Sequence, residues 1–66
     1  MQTQPTKILR IAAVMDRTGL AKPTIYQKIA RAEFPASIRL GPRAAGWLEH
    51  EIEAWIADRI RDARYK

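Results

Sequence analysis

A chain of 66 residues with no cysteine, one histidine and a formal charge of +5 has room for one small domain; no disulfide framework, cysteine-based zinc site or histidine cluster can be built from it. Its hydrophobic fraction of 47% argues for a folded core over a polybasic tail, no apolar run approaches the roughly 20 residues that span a bilayer, and the start MQTQPTK lacks the apolar stretch of a secretory signal, so a cytoplasmic location away from any membrane is expected. The charge is uneven: residues 1–46 carry eight Lys and Arg against two Asp and Glu, whereas residues 47–66 carry four against five, the asymmetry of a protein that docks on a polyanion.

Residues 1–6 are polar, contain Pro5 and are expected to form a disordered tail ahead of a single domain over residues 7–66. Lys7–Ile11 (KILRI) is a short β-leaning run, either an edge strand or the lead-in to a helix. Ala12–Thr18 favours helix, with Val14 and Met15 directed at the core; Gly19 ends it as a left-handed C-cap, and Leu20 is placed to pack back on it. A second helix opens at Lys22-Pro23, since proline is tolerated in a first turn where its missing N–H has no helical partner. It runs through Thr24–Glu33 until Phe34, which precedes Pro35 and is pushed to extended geometry. Ile25, Ile29 and Ala32 share one face, and Thr24, Gln27, Lys28 and Arg31 another, giving an apolar stripe for a core and a polar, cationic stripe for the outside. Only Gly19–Ala21 separate the two helices, the spacing of a helix-turn-helix.

From Ser37 the pattern changes to period two, and Ser37–Leu40 alternates as a half-buried strand does. The segment GPRAAG, residues 41–46, punctuates a turn around a single arginine, and Trp47-Leu48 opens the returning strand. A short hairpin with a cationic tip is expected there, which is the form of a wing. Glu49–Tyr65 is a helix: Ile52, Trp55, Ile56, Ile60 and Ala63 recur at helical spacing. Glu49, Glu51 and Glu53 at its start and Arg59, Arg61 and Arg64 toward its end complement the macrodipole. Trp47 and Trp55 are expected to supply most of the core. The fold class is mostly α with a small β-hairpin, a winged helix-turn-helix in a single small domain.

Catalysis has few means here. His50 stands among three glutamates in a helical first turn without an orienting partner; Glu49, Glu51 and Glu53 are spaced by two and do not face one another on a helix; no glycine-rich phosphate loop is present. A non-enzymatic protein with no cofactor and no metal is expected. The second helix is the better site, because a helix in the DNA major groove reads bases with side chains that donate or accept in pairs. Gln27 suits an adenine edge, Lys28 or Arg31 a guanine, and Thr24 a thymine methyl or a phosphate, while Lys22 and Tyr26 flank the stripe toward backbone phosphates. Arg43 at the hairpin tip suits a narrow, electronegative minor groove, with Arg39 on the adjacent phosphate. Arg10 and Arg17 rank second as phosphate contacts, with Asp16 or solvent as their alternative partners. A protein-interaction adaptor acting through the amphipathic last helix is the competing interpretation.

The segments LRIAAVMDRTGL, TIYQKI, FPASIRLGPRAAGW and EIEAWI, spread over roughly residues 8–57, together resemble the AlpA-like phage and genomic-island regulators, winged-helix DNA binders related to the MerR and excisionase group. The resemblance implies a recognition helix at Lys22–Arg31 and a wing around Arg43. It also implies a bacterial, nucleoid-associated role on double-stranded DNA, either in transcription of mobile-element genes or in excision as a recombination directionality factor. Side-by-side copies on DNA and contact with an integrase or RNA polymerase would accompany either role. Where serine-type residues usually precede TIY this chain has Ala21 and Pro23, so a side-chain N-cap worth about 1 kcal/mol is missing. Gln27 and Lys28 stand where an arginine and an apolar residue commonly follow, which predicts a different target sequence.

Overall fold

Paired strand ends and a buried tryptophan organise the chain. The computed structural model describes residues 7–64; the expected tail over 1–6 and the helix end at Tyr65 lie outside the described residues. In chain order the elements are β1 (Ile8–Leu9), α1 (Ile11–Thr18), α2 (Lys22–Ala30), β2 (Ile38–Gly41), β3 (Ala44–Leu48) and α3 (Glu49–Arg64). The KILRI run is thus an edge strand that passes directly into a helix. Ile8 pairs with Leu48 and Leu9 with Trp47, antiparallel, and the three strands lie in the order β1-β3-β2. The Glu49 N–H, at the start of α3, donates to the Lys7 carbonyl at 2.8 Å. The architecture is a winged helix-turn-helix: helices on one face of a three-stranded antiparallel sheet whose β2–β3 hairpin is the wing.

The turn between α1 and α2 follows the expected chemistry. Gly19 adopts φ 73° and donates its N–H to Met15 O at 2.8 Å, a left-handed ending that glycine accepts without steric cost. Thr18 reinforces it: its hydroxyl donates to Val14 O at 2.8 Å and accepts the Leu20 N–H at 3.2 Å. Helix α2 begins at an uncapped Ala21 with Pro23 in its first turn, as the sequence implied.

Its far end differs from expectation. Helix α2 stops at Ala30 and does not reach Glu33. Ala32 takes φ 60°, the Ala32 N–H donates to Ile29 O at 3.0 Å, and the Glu33 N–H donates to Lys28 O at 2.8 Å. These are the paired bonds of a Schellman ending, which usually carries glycine at the left-handed position. An alanine there costs roughly 1–2 kcal/mol of backbone strain. Ala32 consequently leaves the apolar stripe and is exposed.

Leu9, Val14, Ile25, Phe34, Trp47 and Ile52 form the buried core. Trp47 is at its centre with no exposed surface, and its indole N–H donates to Pro35 O at 3.0 Å. Trp55 is only half-buried and packs against the buried cluster from outside, which corrects the expectation that the two tryptophans supply most of the core between them. It packs edge-on against Phe34, ring centroids 4.8 Å apart, and donates its N–H to Glu33 O at 2.8 Å. Both indoles therefore hold the connection between α2 and β2.

The strand alternation is real, but the apolar side of β2 is not covered. Ile38 opposes Gly46, so it points away from the Trp47 face, and the helical core residues gather on the Trp47 face. Ile38 and Leu40 remain 37% and 45% exposed. Gly46 has a steric reason to be glycine, since a Cβ there would run into the Ile8 side chain and sit 3.2 Å from the Leu9 carbonyl.

Candidate nucleic-acid interface

The outward face of α2 is set by what its inward face must bury. Ile25 is fully buried and Ile29 packs against the core, which leaves Gln27 and Arg31, one turn apart, exposed on the opposite side, with Thr24 and Lys28 half-buried on its flank. Arg31 occupies the C-cap and not the helix proper, a consequence of the early ending at Ala30. Tyr26 lies on the flank toward the hairpin, and Lys22 is exposed in the first turn. The Tyr26 ring is braced edge-on against Trp47, centroids 6.2 Å apart, so its position is tied to the core although 42% of it is exposed.

The hairpin supplies the second part of the surface. Arg39 opposes Ala45, Gly41 opposes Ala44, and an irregularity at Leu40 separates the two pairs. Positive φ occurs among the described residues only at Gly19 and Ala32. The Pro42-Arg43 tip is therefore not a mirror-image turn, and the irregularity at Leu40 takes up the strand twist that such a turn would have matched. Between α2 and the wing lies a cleft of about 330 Å³ to which Tyr26, Arg39, Pro42 and Arg43 contribute. The structure thus brings Tyr26, Arg39 and Arg43 to one place, whereas Thr24, Gln27, Lys28 and Arg31 do not line that cleft.

Charge pairing separates this surface from the rest of the molecule. Among the described residues, Lys22, Lys28, Arg31, Arg39 and Arg43 make no ion pair, whereas Arg17 bonds Glu49 at 2.9 Å and Glu53 at 3.1 Å. Arg59 pairs with Asp62 and Arg61 with Asp58 within α3. The cations of α2 and the wing keep their full field for an external anion; those of α1 and α3 are largely cancelled locally. Arg17 is therefore a fold contact: in place of Asp16 or solvent, its expected alternatives to a phosphate, carboxylates 32 and 36 positions downstream hold it.

Arg10 has a role that its sequence position did not reveal. Its Nε donates to Ala45 O at 3.0 Å, joining the start of α1 to the strand that carries the wing. Its side chain is exposed, and Nε bonding leaves both terminal amino groups of the guanidinium free. No local signal marks a contact across 35 residues; only the β1–β3 pairing brings the two together. His50 is exposed in the first turn of α3. Among the described residues no three His, Asp or Glu side chains stand together as metal ligands, and no helix is long and apolar enough to cross a membrane.

A short helix-turn-helix and an antiparallel wing, both carrying cations without ion pairs, define a protein of the winged helix-turn-helix class. The family whose description is prophage CP4-57 regulatory protein (AlpA) matches residues 7–60, and the chain belongs to that family. It is 43% identical over 54 residues to ORF88 of Enterobacteria phage P4, covering 82% of this chain and 61% of that protein. It is 41% identical over 61 residues to the DNA-binding transcriptional activator AlpA of Escherichia coli K12, covering 83% of this chain and 87% of that protein. The chain thus spans less than two thirds of the phage P4 relative. No solved structure matches it.

Proposed function

We propose that the protein is a non-enzymatic, sequence-specific binder of double-stranded DNA that regulates genes of a phage or prophage. The observation that carries this function is the set of five cations on α2 and the wing that lack ion pairs while Arg17, Arg59 and Arg61 have them. Helix α2 enters the major groove, where Gln27 reads an adenine edge, Lys28 or Arg31 a guanine, and Thr24 a thymine methyl or a phosphate. Arg43 enters the adjacent minor groove. Lys22, Tyr26 and Arg39 hold phosphates, joined by the terminal amino groups of Arg10. The name of the E. coli relative, a DNA-binding transcriptional activator, supports the same assignment.

Beyond regulation, we assign the protein to control of transcription, to excision as a recombination directionality factor, or to both, acting in the bacterial cytoplasm on the nucleoid. One such module covers about 600–1,000 Å² of DNA-facing surface, so copies bind side by side, and an integrase or RNA polymerase completes the assembly. Footprinting of the purified protein across its own genetic neighbourhood tests this. Protection beside an attachment site assigns excision, protection at a promoter assigns transcription control, and absence of any protected site refutes sequence-specific binding. The adaptor interpretation draws support from Ile60, 47% exposed on α3; it predicts no salt-dependent association with DNA.

A further inference from the structure

A sheet with one uncovered face ordinarily turns polar side chains toward water. Here the uncovered face shows Ile38 and Leu40, with half-buried Ile8 and Leu48 beside them. It leads into a groove of about 850 Å³ between α3 and the α2–β2 connection, where Phe34, Pro35, Ile38, Leu48 and Trp55 are among the apolar lining residues. Glu33, Glu51 and Asp58 also line it, against the single cation Arg59. Asp58 pairs with Arg61, and Arg59 lies over the Trp55 ring at 5.6 Å while bonding Asp62. Glu33 and Glu51 have no ion-pair partner among the described residues. A chain of net charge +5 has therefore placed two uncompensated carboxylates beside an apolar groove, the composition of a recognition surface and not of a solvated one.

We propose that this groove docks a segment of a different protein in which apolar side chains are flanked by lysine or arginine. The apolar part covers Ile38, Leu48 and the free edge of Trp55, and the basic part meets Glu33 and Glu51. A second copy of this chain does not supply that chemistry. Among the described residues its unpaired cations are Arg10 and those of α2 and the wing, which DNA occupies under the function proposed above, and Arg64 at the far end of α3, and its residues 47–66 carry more acid than base. The choice of partner thus rests on the DNA-binding assignment, whereas the groove does not. Ile38 and Arg39 point to opposite faces of β2, so the segment and DNA bind without competing.

Panning a library of random linear peptides on the full-length protein, with and without DNA, tests the proposal. Selected peptides are expected to combine large apolar residues with several Lys or Arg. Their affinity, read by fluorescence anisotropy, should fall about tenfold or more in the double variant Glu33→Lys with Glu51→Lys and also in Ile38→Ser, with far-ultraviolet circular dichroism unchanged. DNA affinity of the charge-reversed protein should not fall. The proposal is overturned if no peptide is enriched, if enriched peptides lack basic residues, or if the reversed protein binds them equally. It is also overturned if sedimentation equilibrium finds a dimer that the reversal dissolves, which would assign the groove to a second copy. A parallel DNA titration of the unaltered protein separates the two assignments: failure there removes the DNA-binding function, and peptide binding without DNA still decides the groove.

Discussion

Arg10 and Arg17 look equivalent in the sequence, one just before α1 and one in its last turn, yet the structure gives them opposite fates. Arg17 is held by Glu49 and Glu53 at 2.9 and 3.1 Å, with a third of its side chain exposed. Arg10 uses one nitrogen on Ala45 O and, under the proposed function, keeps the remainder for a phosphate. For a protein contacting about five phosphates, the log–log slope of DNA affinity against salt is about −4 to −5, and each lost contact makes it shallower by about 0.9. Arg10→Ala should therefore change the slope by about 0.9, as should Arg43→Ala if its tip contact is electrostatic in the same way. Arg17→Ala should leave the slope alone. It removes two partly exposed ion pairs, together worth about 1 kcal/mol, and so should lower Tm by about 4–8 °C for a domain of this size. The assay is anisotropy of a labelled operator duplex over a salt series, paired with thermal melts of each variant. A slope change in Arg17→Ala matching that of Arg43→Ala would refute the assignment of Arg17 to the fold. An unchanged slope in Arg10→Ala would leave Arg10 as a brace for the wing alone.

Three further outcomes are expected. Ala32→Gly should relieve the left-handed strain at φ 60° and, after the entropy that glycine adds to the unfolded chain, stabilise by about 0.5–1 kcal/mol, read as a higher urea midpoint with an unchanged m value. Gly46→Ala should destabilise by about 1–3 kcal/mol, because the neighbouring Leu9 carbonyl is backbone and cannot rotate away; a thermal melt equal to the parent would contradict the packing described around it. Gln27→Ala and Lys28→Ala should flatten sequence preference in a binding-site selection while the salt slope changes only for Lys28→Ala. An unaltered preference in both would remove α2 from base reading.

Much of the fold was legible because its boundaries are marked by residues with special backbone chemistry. Gly19, Pro23 and the Gly41-Pro42 pair announce the turn, the second helix and the wing tip, and the motifs over roughly 8–57 anticipate the family match over 7–60. The end of α2 was not legible, since the left-handed residue is Ala32 and alanine carries no signal for that conformation. Period two correctly gave β2 two faces, but periodicity says nothing about which face other elements cover, hence the unexpected exposure of Ile38 and Leu40. The surface placement of the candidate residues was legible in the sequence, their partners less so. The α2 stripe and Arg43 follow from local spacing, whereas the partners of Arg10 and Arg17 depend on contacts 32 to 36 positions away that only the assembled sheet and helices create.

The two indole hydrogen bonds at Pro35 O and Glu33 O have an evolutionary corollary. They lock the interval between helix and wing from inside the domain, using side chains other than those proposed to meet the nucleic acid. Gln27 and Arg31, by contrast, bear on nothing internal. Under the proposed function, a lineage carrying this scaffold is free to exchange its reading residues as host and operator drift, while the spacing of helix and wing stays inherited.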